Sequence, residues 1–317
     1  MINNTLIHKK DTPFFSIIMN CHNGALFLQE AIESVYTQKF EDWEIIFFDN
    51  ASTDDSAEIA KSFDTRIKYF YNPDLIPLGS ARNRAIKHAN GTYLAFLDCD
   101  DLWMPSKLLL QQQALVSPIK ERGCAFCYTD AMRIDQFGEG IMPYSQEREL
   151  AEGSVFLALM RDCFISMSSC VINRKICLSL GGFDESFEYV EEWDLWLRTA
   201  QRYDLAFVPE CLTSIRFHSD NTSKDYQAQS LEVMTMLQRT QVSPTQLSEK
   251  QRILNMFQIR FLIIYTTHCF KNNLIQGLLS TFSLAGLCLR HPRISLQLLT
   301  KYLSADLLHF FYIKYWR

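Results

Sequence analysis

The sequence predicts an α/β fold, an open and mostly parallel sheet with helices on both faces. Three observations support this prediction. Predicted strands and helices alternate over residues 14–97, the connections between them are short, and the strands are apolar runs with the length and β-propensity of buried strands. Sheets of this kind bind ligands at the carboxyl ends of their strands, so function is expected there.

Local signals define the elements of the first third of the chain. Gly24 separates the first strand from the first helix, and Ser52–Asp55 supplies N-cap candidates for the second helix. Asn72–Asp74 breaks the third strand, and Asn90-Gly91 closes the third helix. The predicted strands are Phe14–Asn20, Trp43–Phe48, Ile67–Tyr71 and Tyr93–Leu97, and the predicted helices are Ala25–Tyr36, Ser56–Phe63 and Ala81–Ala89.

The middle of the chain contains further strands and helices in a less regular order. Pro105 is well placed to open a helix at its first turn. Glu191–Tyr203 has the pattern of an amphipathic helix and follows the loop Gly181–Glu185. The other predicted elements are the helices Ser106–Val116 and Gly153–Arg161 and the strands Cys124–Thr129, Ser168–Asn173, Asp204–Val208 and Leu212–Phe217.

We expect a polar N-terminal segment (residues 1–13), an α/β domain (14–222) and a C-terminal helical region (223–317). The last region contains apolar stretches at Phe257–Tyr265, Leu274–Leu289 and Ile294–Tyr315, punctuated by basic and aromatic residues. Two interpretations stay open: a helical subdomain or oligomer surface, or helices that lie on an anionic membrane surface. A membrane-spanning helix is not expected, because no window offers 18 uncharged apolar residues.

Composition argues against several classes of protein. The 317 residues carry a net charge of −5, so no nucleic acid partner is expected. The ten cysteines are scattered among apolar neighbours, as reduced thiols of cytosolic proteins are. Cys124 and Cys127 form a C-x-x-C pair, but no second pair or nearby histidine completes a zinc site. The polar N-terminus lacks the apolar run of a secretory signal, and we expect a cytoplasmic location.

Polar residues follow three of the predicted strands. Asn20–His22, Asp49–Asn50 and Asp98–Asp101 would lie along one edge of a parallel sheet. Crowded carboxylates repel one another unless a cation or a hydrogen-bonded ligand is present. In an extended backbone Asp98 and Asp100 point to the same side, where both could reach one hard divalent cation. The last cluster alone could be an acidic, solvated turn, but the three together favour a nucleotide-and-metal site.

The motifs of the chain resemble those of family 2 glycosyltransferases and occur in the same order. They are FFSIIMNCHNG, WEIIFFDNASTDDS, GSARNRAI, YLAFLDCDDLWMPSKL, GGFDE, EEWDLWLR and RFH, and they extend from about Phe14 to Ser223. Each motif is modest, and their combination is highly specific. The resemblance implies the GT-A fold, a nucleotide-diphospho-sugar donor, a divalent cation (Mn²⁺ or Mg²⁺) and inversion at the anomeric carbon.

The resemblance implies a cation site formed by residues of two motifs. Asp98-Cys99-Asp100 looks like the D-x-D motif of the family, with Asp100 as the direct metal ligand and Asp98 on the ribose or the metal. His218, in R-F-H, resembles a histidine that some relatives use on the metal or the diphosphate. The chemistry agrees, because a cation that bridges a diphosphate neutralises the charge that builds on the leaving group.

The resemblance also implies donor-binding residues. Asp49 and Asn50 correspond to the pair that reads the base, commonly two aspartates. The amide of Asn50 can still bond a pyrimidine edge, so this departure weakens only the case for uridine. Asn20 and His22 occupy the first-strand edge that packs around the base in relatives. Arg82, in A-R-N-R, is placed to position the nucleotide or the diphosphate, and a structural salt bridge is the alternative.

Glu191-Glu192 resembles the family's E-D motif, in which the aspartate is the general base. By register Glu192 takes that place, with a side chain one methylene longer, and Asp194 is the fallback. Inversion requires a carboxylate opposite the leaving group to take the proton of the acceptor hydroxyl. Taken alone, three carboxylates in the first turn of a helix are also explained by the helix dipole.

The primary hypothesis is an inverting glycosyltransferase that acts on a hydroxyl of a glycan or lipid-linked acceptor, in cell-surface polysaccharide or lipopolysaccharide assembly. Such an enzyme could work peripherally at the inner face of the cytoplasmic membrane or as a homo-oligomer. A sugar-nucleotide nucleotidyltransferase is one alternative, although Asn20–Gly24 lacks the usual Gly-rich, basic phosphate loop. A catalytically silent nucleotide-sugar-binding or scaffold protein is another, because Glu192 departs from aspartate. An oxidoreductase is disfavoured, since no G-x-G-x-x-G follows an early strand.

Overall fold

The computed structural model describes residues 12–116, 124–218, 226–272, 286 and 289–291. The chain divides into two compact units, one up to Asn221 and one from Thr222. Most of the predicted N-terminal segment, most of Leu274–Leu289 and all of Ile294–Tyr315 lie outside the described residues.

The first unit is built on a mixed but mostly parallel sheet. Its described strands are β1 (Phe15–Cys21), β2 (Trp43–Asn50), β3 (Ile67–Asn72), β4 (Tyr93–Phe96), β5 (Leu102–Trp103), β6 (Cys124–Ile134), β7 (Gly140–Pro143), β8 (Val171–Asn173) and β9 (Asp204–Arg216). They pair in the order β3-β2-β1-β4-β8-β6-β9-β5, and β7 pairs with β6. The ladders among β1–β4 and the long β6–β9 ladder are parallel, whereas β5, β7 and β8 pair antiparallel. The predicted α/β class and mostly parallel sheet are confirmed.

Helices connect the parallel strands, because a parallel pair cannot be joined by a tight turn. The helices of the first unit are α1 (Ala25–Tyr36), α2 (Ser56–Lys61), α3 (Leu78–Ile86), α4 (Lys107–Val116), α5 (Phe156–Arg161), α6 (Arg174–Ser179) and α7 (Glu191–Ala200). The first three link β1 to β2, β2 to β3 and β3 to β4. The short elements α6, β5 and β7 were not predicted, since two to six residues carry too little periodicity to detect.

Two strand predictions need correction. Asp204–Val208 and Leu212–Phe217 are one strand, β9, and Pro209 lies inside it. The ladder to β6 steps from Val208 to Cys211, so the proline lies in an irregularity where no ladder bond is required of it. The predicted strand Ser168–Asn173 is shorter, because Met167–Ser169 forms a 3₁₀ turn.

The core of the first unit surrounds β1 and β2. β2 is buried along its whole length, and β1 is buried everywhere except at Asn20. Strands covered on both faces read as continuous apolar runs, which is why they were recognisable in the sequence. Leu28, Ile32 and Val35 of α1 are fully buried in the same cluster, and each such side chain contributes about 1.5–3 kcal/mol. The interruption at Asn20 lies at the edge where ligands are expected.

The second unit contains the helices α8 (Tyr226–Arg239) and α9 (Leu247–Asn272), which confirm the predicted C-terminal helices. Between them a 3₁₀ turn starts with a capping box formed by Ser243 and Gln246. The ammonium group of Lys250 donates to the carbonyl oxygens of Gln238 and Thr240 at 3.0 and 2.7 Å. Within the part of the chain that the structure describes, no helix has both the length and the apolar character to cross a membrane.

A buried polar cluster fastens the start of β1 to the turn before β4. Glu44, 5% exposed, accepts from the Ser16 hydroxyl at 2.6 Å and from the Asn90 amide at 2.8 Å. The Ser16 oxygen accepts in turn from the Gly91 amide at 2.7 Å. A Cβ atom at Gly91 would lie 2.4 Å from the backbone nitrogen of Ser16. Glycine is therefore required at this position by close approach of two backbones.

Gly91→Ala is expected to destabilise the first unit by about 1–3 kcal/mol, the usual cost of overpacking a filled site. Thermal unfolding followed by circular dichroism measures the loss. The matched control is Gly140→Ala, where a Cβ would meet Met132 at an ordinary contact distance of 3.7 Å. Equal melting temperatures for the two variants would contradict the close approach at Gly91.

Candidate functional site

The carboxyl ends of β1, β2 and β4 bring the predicted polar clusters together. β1 lies between β2 and β4, and Cys21 pairs with Asp49 at the end of the β1–β2 ladder. Beyond β4 the chain stays alongside β1, because the Cys99 thiol donates to the carbonyl oxygen of Asn20 at 3.2 Å. Residues that the sequence places on three separate strands are therefore neighbours at one edge of the sheet.

The D-x-D residues lie in a turn beyond β4. The Asp101 amide donates to the carbonyl oxygen of Asp98 at 3.1 Å. The two carboxylates have different partners: Asp98 accepts a hydrogen bond from Arg82 at 3.1 Å, and Asp100 Oδ2 lies 2.9 Å from Nε2 of His218. The backbone at Asp98–Asp101 forms a turn rather than the extended strand of the prediction, so a common side for Asp98 and Asp100 stays a prediction.

Arg82 is the buried cation of the site, only 3% exposed. Its guanidinium donates to Asp98 on one side and to Glu191 Oε1, at 2.7 Å, on the other. Burial alone would lower the pKa of Arg82, but the charges of Asp98 and Glu191 outweigh it and the pKa is raised. The structural ion pair that the sequence left as an alternative is therefore present, and it joins the turn after β4 to the first turn of α7.

The neighbouring Asn83 fastens α3 to the glycine loop that precedes α7. Its amide nitrogen donates to the Phe183 carbonyl oxygen at 2.9 Å, and its amide oxygen accepts from the Phe183 amide at 2.9 Å. Gly182 has a φ of +72°, and a Cβ there would lie 2.4 Å from Asn83 Oδ1. The A-R-N-R and G-G-F-D-E motifs thus act together to place the start of α7.

Glu192 follows Glu191 on α7 but has a different environment. Burial raises the pKa of its carboxyl group to about 8, although the charge of Arg82 pulls it down, and Glu191 and Asp98 raise it further. Among the described residues, no hydrogen bond to this side chain is found. A carboxyl group with a pKa near neutral pH can exchange protons there, and this is the chemistry that the environment of Glu192 allows.

The surroundings of Asp194 indicate a structural role. Its carboxylate forms an ion pair with Arg198 at 2.6 Å, one turn along α7. The Arg198 guanidinium also donates to the carbonyl oxygens of Leu180 and Gly182 at 2.8 and 2.7 Å. Asp194 thus helps to hold α7 against the glycine loop.

Asp101 is a buried carboxyl group that the sequence placed at the edge without a role. It accepts from the Ser168 hydroxyl at 2.5 Å and from the Arg216 amide at 2.9 Å. Burial, and then the charges of Asp100 and Asp98, hold its pKa well above the usual range. The Ser168 oxygen accepts from the Asp98 amide at 3.1 Å. Sequence reasoning missed Ser168, which belongs to no motif, whereas Arg216 lies in R-F-H.

Two of the three predicted metal ligands, Asp100 and His218, stand together. Burial and the charge of Asp98 raise the pKa of Asp100, and the hydrogen bond from His218 opposes this. Among the described residues, no three His, Cys, Asp or Glu side chains form a metal-binding group. One carboxylate and one imidazole fit a divalent cation that takes its other ligands from phosphate and water. The pair therefore fits a cation held jointly with a phosphate-bearing ligand.

The predicted base-reading pair faces inward. Asp49, 1% exposed, accepts from the Tyr69 hydroxyl at 2.6 Å and the Ser52 amide at 2.8 Å. The amide of Asn50 donates to the Ile76 carbonyl oxygen at 2.8 Å and accepts from the Ile76 amide at 3.2 Å. Both side chains are thus occupied by the protein itself.

Asn20 and His22 lie at the end of β1. The His22 ring is held by a 2.9 Å contact between Nδ1 and the carbonyl oxygen of Asn50. The amide nitrogen of Asn20 is buried and makes no hydrogen bond to the described part of the chain. A buried donor without a partner is costly, so it indicates a position where a ligand would supply an acceptor.

Comparison with known proteins identifies the family. The family model "Glycosyl transferase family 2" matches residues 16–175. An uncharacterized glycosyltransferase of Rickettsia typhi is 30% identical over 219 residues, which are 67% of this chain and 66% of the relative. The matched part covers only 38% of a related protein of Rickettsia felis. WfgD of Escherichia coli, a UDP-Glc:α-D-GlcNAc-diphosphoundecaprenol β-1,3-glucosyltransferase, is 29% identical over 59% of this chain and 70% of its own.

Solved structures share the fold. TarS of S. aureus in complex with UDP-GlcNAc has a TM-score of 0.62 at 16% identity and covers 84% of this chain and 79% of its own. The mannosyltransferase PcManGT of Pyrobaculum calidifontis, in complex with GDP-Man and Mn²⁺, has a TM-score of 0.59 at 14% identity, over 94% and 87%. At such identities the likeness concerns the fold, and it confirms the GT-A architecture. The fold likeness agrees with the family model, and this chain is a member of glycosyltransferase family 2.

Proposed function

We propose that the chain transfers one sugar, with inversion, from a nucleotide-diphospho-sugar to a hydroxyl of a glycan or lipid-linked acceptor, and that it uses Mn²⁺ or Mg²⁺. One observation carries this proposal. The turn that contains Asp98 and Asp100, with Asp100 beside His218, is bridged by Arg82 to Glu191, the residue before Glu192 on α7. A single-displacement transfer needs a cation at the leaving diphosphate and a base at the acceptor hydroxyl, both close to the same sugar.

The donor nucleotide would lie over the ends of β1, β2 and β4. We assign the direct contact to the Asn20 amide, because this buried donor makes no hydrogen bond to the described residues. Asp49, Asn50 and His22 would shape the base pocket rather than read the base, since their polar atoms already bond the protein. Asp98, held by Arg82, would face the ribose or the diphosphate.

The cation would be held by Asp100 and His218, with Asp98 close by. When bound, a divalent cation neutralises charge on the departing nucleoside diphosphate. The chain's own contribution is to keep one carboxylate and one imidazole at the end of the sheet, 2.9 Å apart, in a turn fixed by buried hydrogen bonds. Arg82 places a buried positive charge 3.1 Å from Asp98.

The general base would be Glu192. Its carboxylate would take the proton of the acceptor hydroxyl as that oxygen attacks the anomeric carbon from the side opposite the diphosphate. Glu191 is already neutralised by Arg82, and Asp194 by Arg198. These pairings support Glu192, rather than its two neighbours, as the residue that accepts the proton.

The acceptor class is proposed from a relative. WfgD acts on a sugar linked to diphosphoundecaprenol, and a lipid-linked acceptor would place this chain at the inner face of the cytoplasmic membrane, in assembly of a cell-surface polysaccharide. The helices of the second unit would then contact the membrane surface or a second copy of the chain.

Thermal unfolding with a panel of nucleoside diphosphates tests donor and cation together. A ligand that binds only the folded chain raises the melting temperature by mass action. We expect one nucleoside diphosphate to give a shift that requires Mn²⁺ and disappears in Asp100→Asn. The control is Asp135→Asn, a carboxylate that only accepts backbone amides in the β6–β7 turn. The absence of any shift in the wild type would overturn the proposal.

Glu192→Gln removes the proton acceptor and preserves its size. With the nucleotide-sugar identified by the thermal panel, we expect kcat to fall about 10²–10⁴-fold, the usual contribution of general-base catalysis. The melting shift with nucleoside diphosphate and Mn²⁺ should remain. Asp194→Asn is the matched control on the same helical turn, and it should lower stability without a comparable loss of turnover. Full activity of Glu192→Gln would show that another residue is the base. If the wild type binds the donor but does not turn it over, the chain would be a silent donor-binding module.

The pH dependence of kcat/KM reports the pKa of Glu192 in the free protein. Only the deprotonated form can accept a proton, and the pKa is about 8. The rate should therefore rise about ninefold from pH 6 to 7 and about fivefold from pH 7 to 8, and it should level off above about pH 9, as expected for one titrating group. A rate already constant from pH 6 upward would show that the carboxyl group titrates in its ordinary range.

A further inference from the structure

Arg216 lies behind the turn Asp98–Asp101 and is only 2% exposed. Its backbone amide donates to Asp101 Oδ1 at 2.9 Å, and its Nε donates to the main-chain carbonyl oxygen of Asp100 at 2.9 Å. The residue therefore holds the turn at two consecutive positions. One of these is the residue that we assign to the cation.

The outer end of the Arg216 guanidinium reaches helix α1. Nη2 donates to Glu30 Oε2 at 2.9 Å, and the guanidinium carbon lies 4.4 Å from the centre of the Phe27 ring. The same Phe27 ring lies 5.2 Å from the ring of His218. Phe27 is thus packed between the arginine that holds Asp100 and the imidazole that faces Asp100.

We propose that Arg216 is a positioning residue of the cation site, which fixes the carboxylate of Asp100 relative to the imidazole of His218 with Glu30 and Phe27 of α1 as its supports. This inference rests on the proposed function, because it takes Asp100 and His218 as the residues that hold the cation. It extends the site to a helix that contains none of the predicted functional residues.

An arginine is required for this task because its donors point in fixed, different directions. Nε donates to the main-chain oxygen of Asp100, Nη2 donates to the Glu30 carboxylate, and Nη1 donates to the carbonyl oxygen of Gln136 at 3.2 Å. A lysine keeps the charge but cannot serve three acceptors in one plane or stack its head group on Phe27 in the same way. Arg216→Lys therefore removes the positioning and leaves the charge.

The experiment titrates Mn²⁺ into the folded chain, with and without UDP, and follows the electron paramagnetic resonance signal of free Mn²⁺. For Arg216→Lys we expect the Mn²⁺ concentration at half saturation to rise about tenfold or more, as is typical when a partner that orients a ligand is lost. Glu30→Gln keeps an acceptor but loses the ion pair, and a rise of about threefold is expected from the worth of such pairs. Because Glu30 is largely exposed, with 61% of its side chain accessible, this second variant keeps the test valid if Arg216→Lys does not fold.

The matched control is Arg66→Lys. Arg66 also stacks at 4.4 Å on aromatic rings, those of Tyr36 and Trp43, and pairs with a carboxylate, Asp64, at 2.9 Å. It lies before β3, away from the turn. Its substitution should leave the Mn²⁺ titration unchanged, although the melting temperature falls.

The outcomes separate this inference from the proposed function. A wild type that binds no Mn²⁺, or binds it equally well after Asp100→Asn, overturns the cation site and the positioning role together. A wild type that binds Mn²⁺ through Asp100, with unchanged titrations in Arg216→Lys and Glu30→Gln, overturns the positioning role alone. A lower melting temperature with unchanged Mn²⁺ binding would mean that Arg216 only stabilises the fold.

Discussion

The double ion pair of Arg82 is the interaction on which the rest of the site depends. A buried guanidinium loses its hydration, and that loss is offset only when carboxylates are placed well around it. Asp98 and Glu191 meet this requirement from two different elements, the turn after β4 and the first turn of α7. Satisfying one buried charge therefore fixes the distance between the turn after β4 and the first turn of α7, which contains Glu192.

This arrangement also explains why two adjacent glutamates differ. Arg82 donates to Glu191, and for Glu192 its charge only opposes the effect of burial, which raises the pKa to about 8. A second buried arginine, Arg216, holds the opposite side of the turn through Asp100 and Asp101. Arg82 and Arg216, both buried, thus hold the D-x-D turn from two sides.

The strand-end rule was sufficient to predict which polar residues lie together at one edge of the sheet. Buried parallel strands are recognisable as continuous apolar runs, and their polar ends marked Asn20, Asp49 and Asp98 correctly as neighbours. The direction of each side chain was not predictable in the same way. Asp98 faces Arg82 and Asp100 faces His218 because of a turn closed by one hydrogen bond. Both partners lie more than ten residues away in sequence. Ser168, which bonds both Asp98 and Asp101, has no local signal at all.

A crystal structure of the chain with Mn²⁺ and the nucleoside diphosphate that it binds would show directly whether these residues hold the cation and face the sugar. We expect Mn²⁺ on Asp100 and His218 with the diphosphate beside it, and Arg82 still between Asp98 and Glu191. The Glu192 carboxylate should face the position of the anomeric carbon from the side opposite the diphosphate. A cation held by other residues, or Glu192 turned away while Arg82 leaves Glu191 for the phosphate, would contradict this expectation.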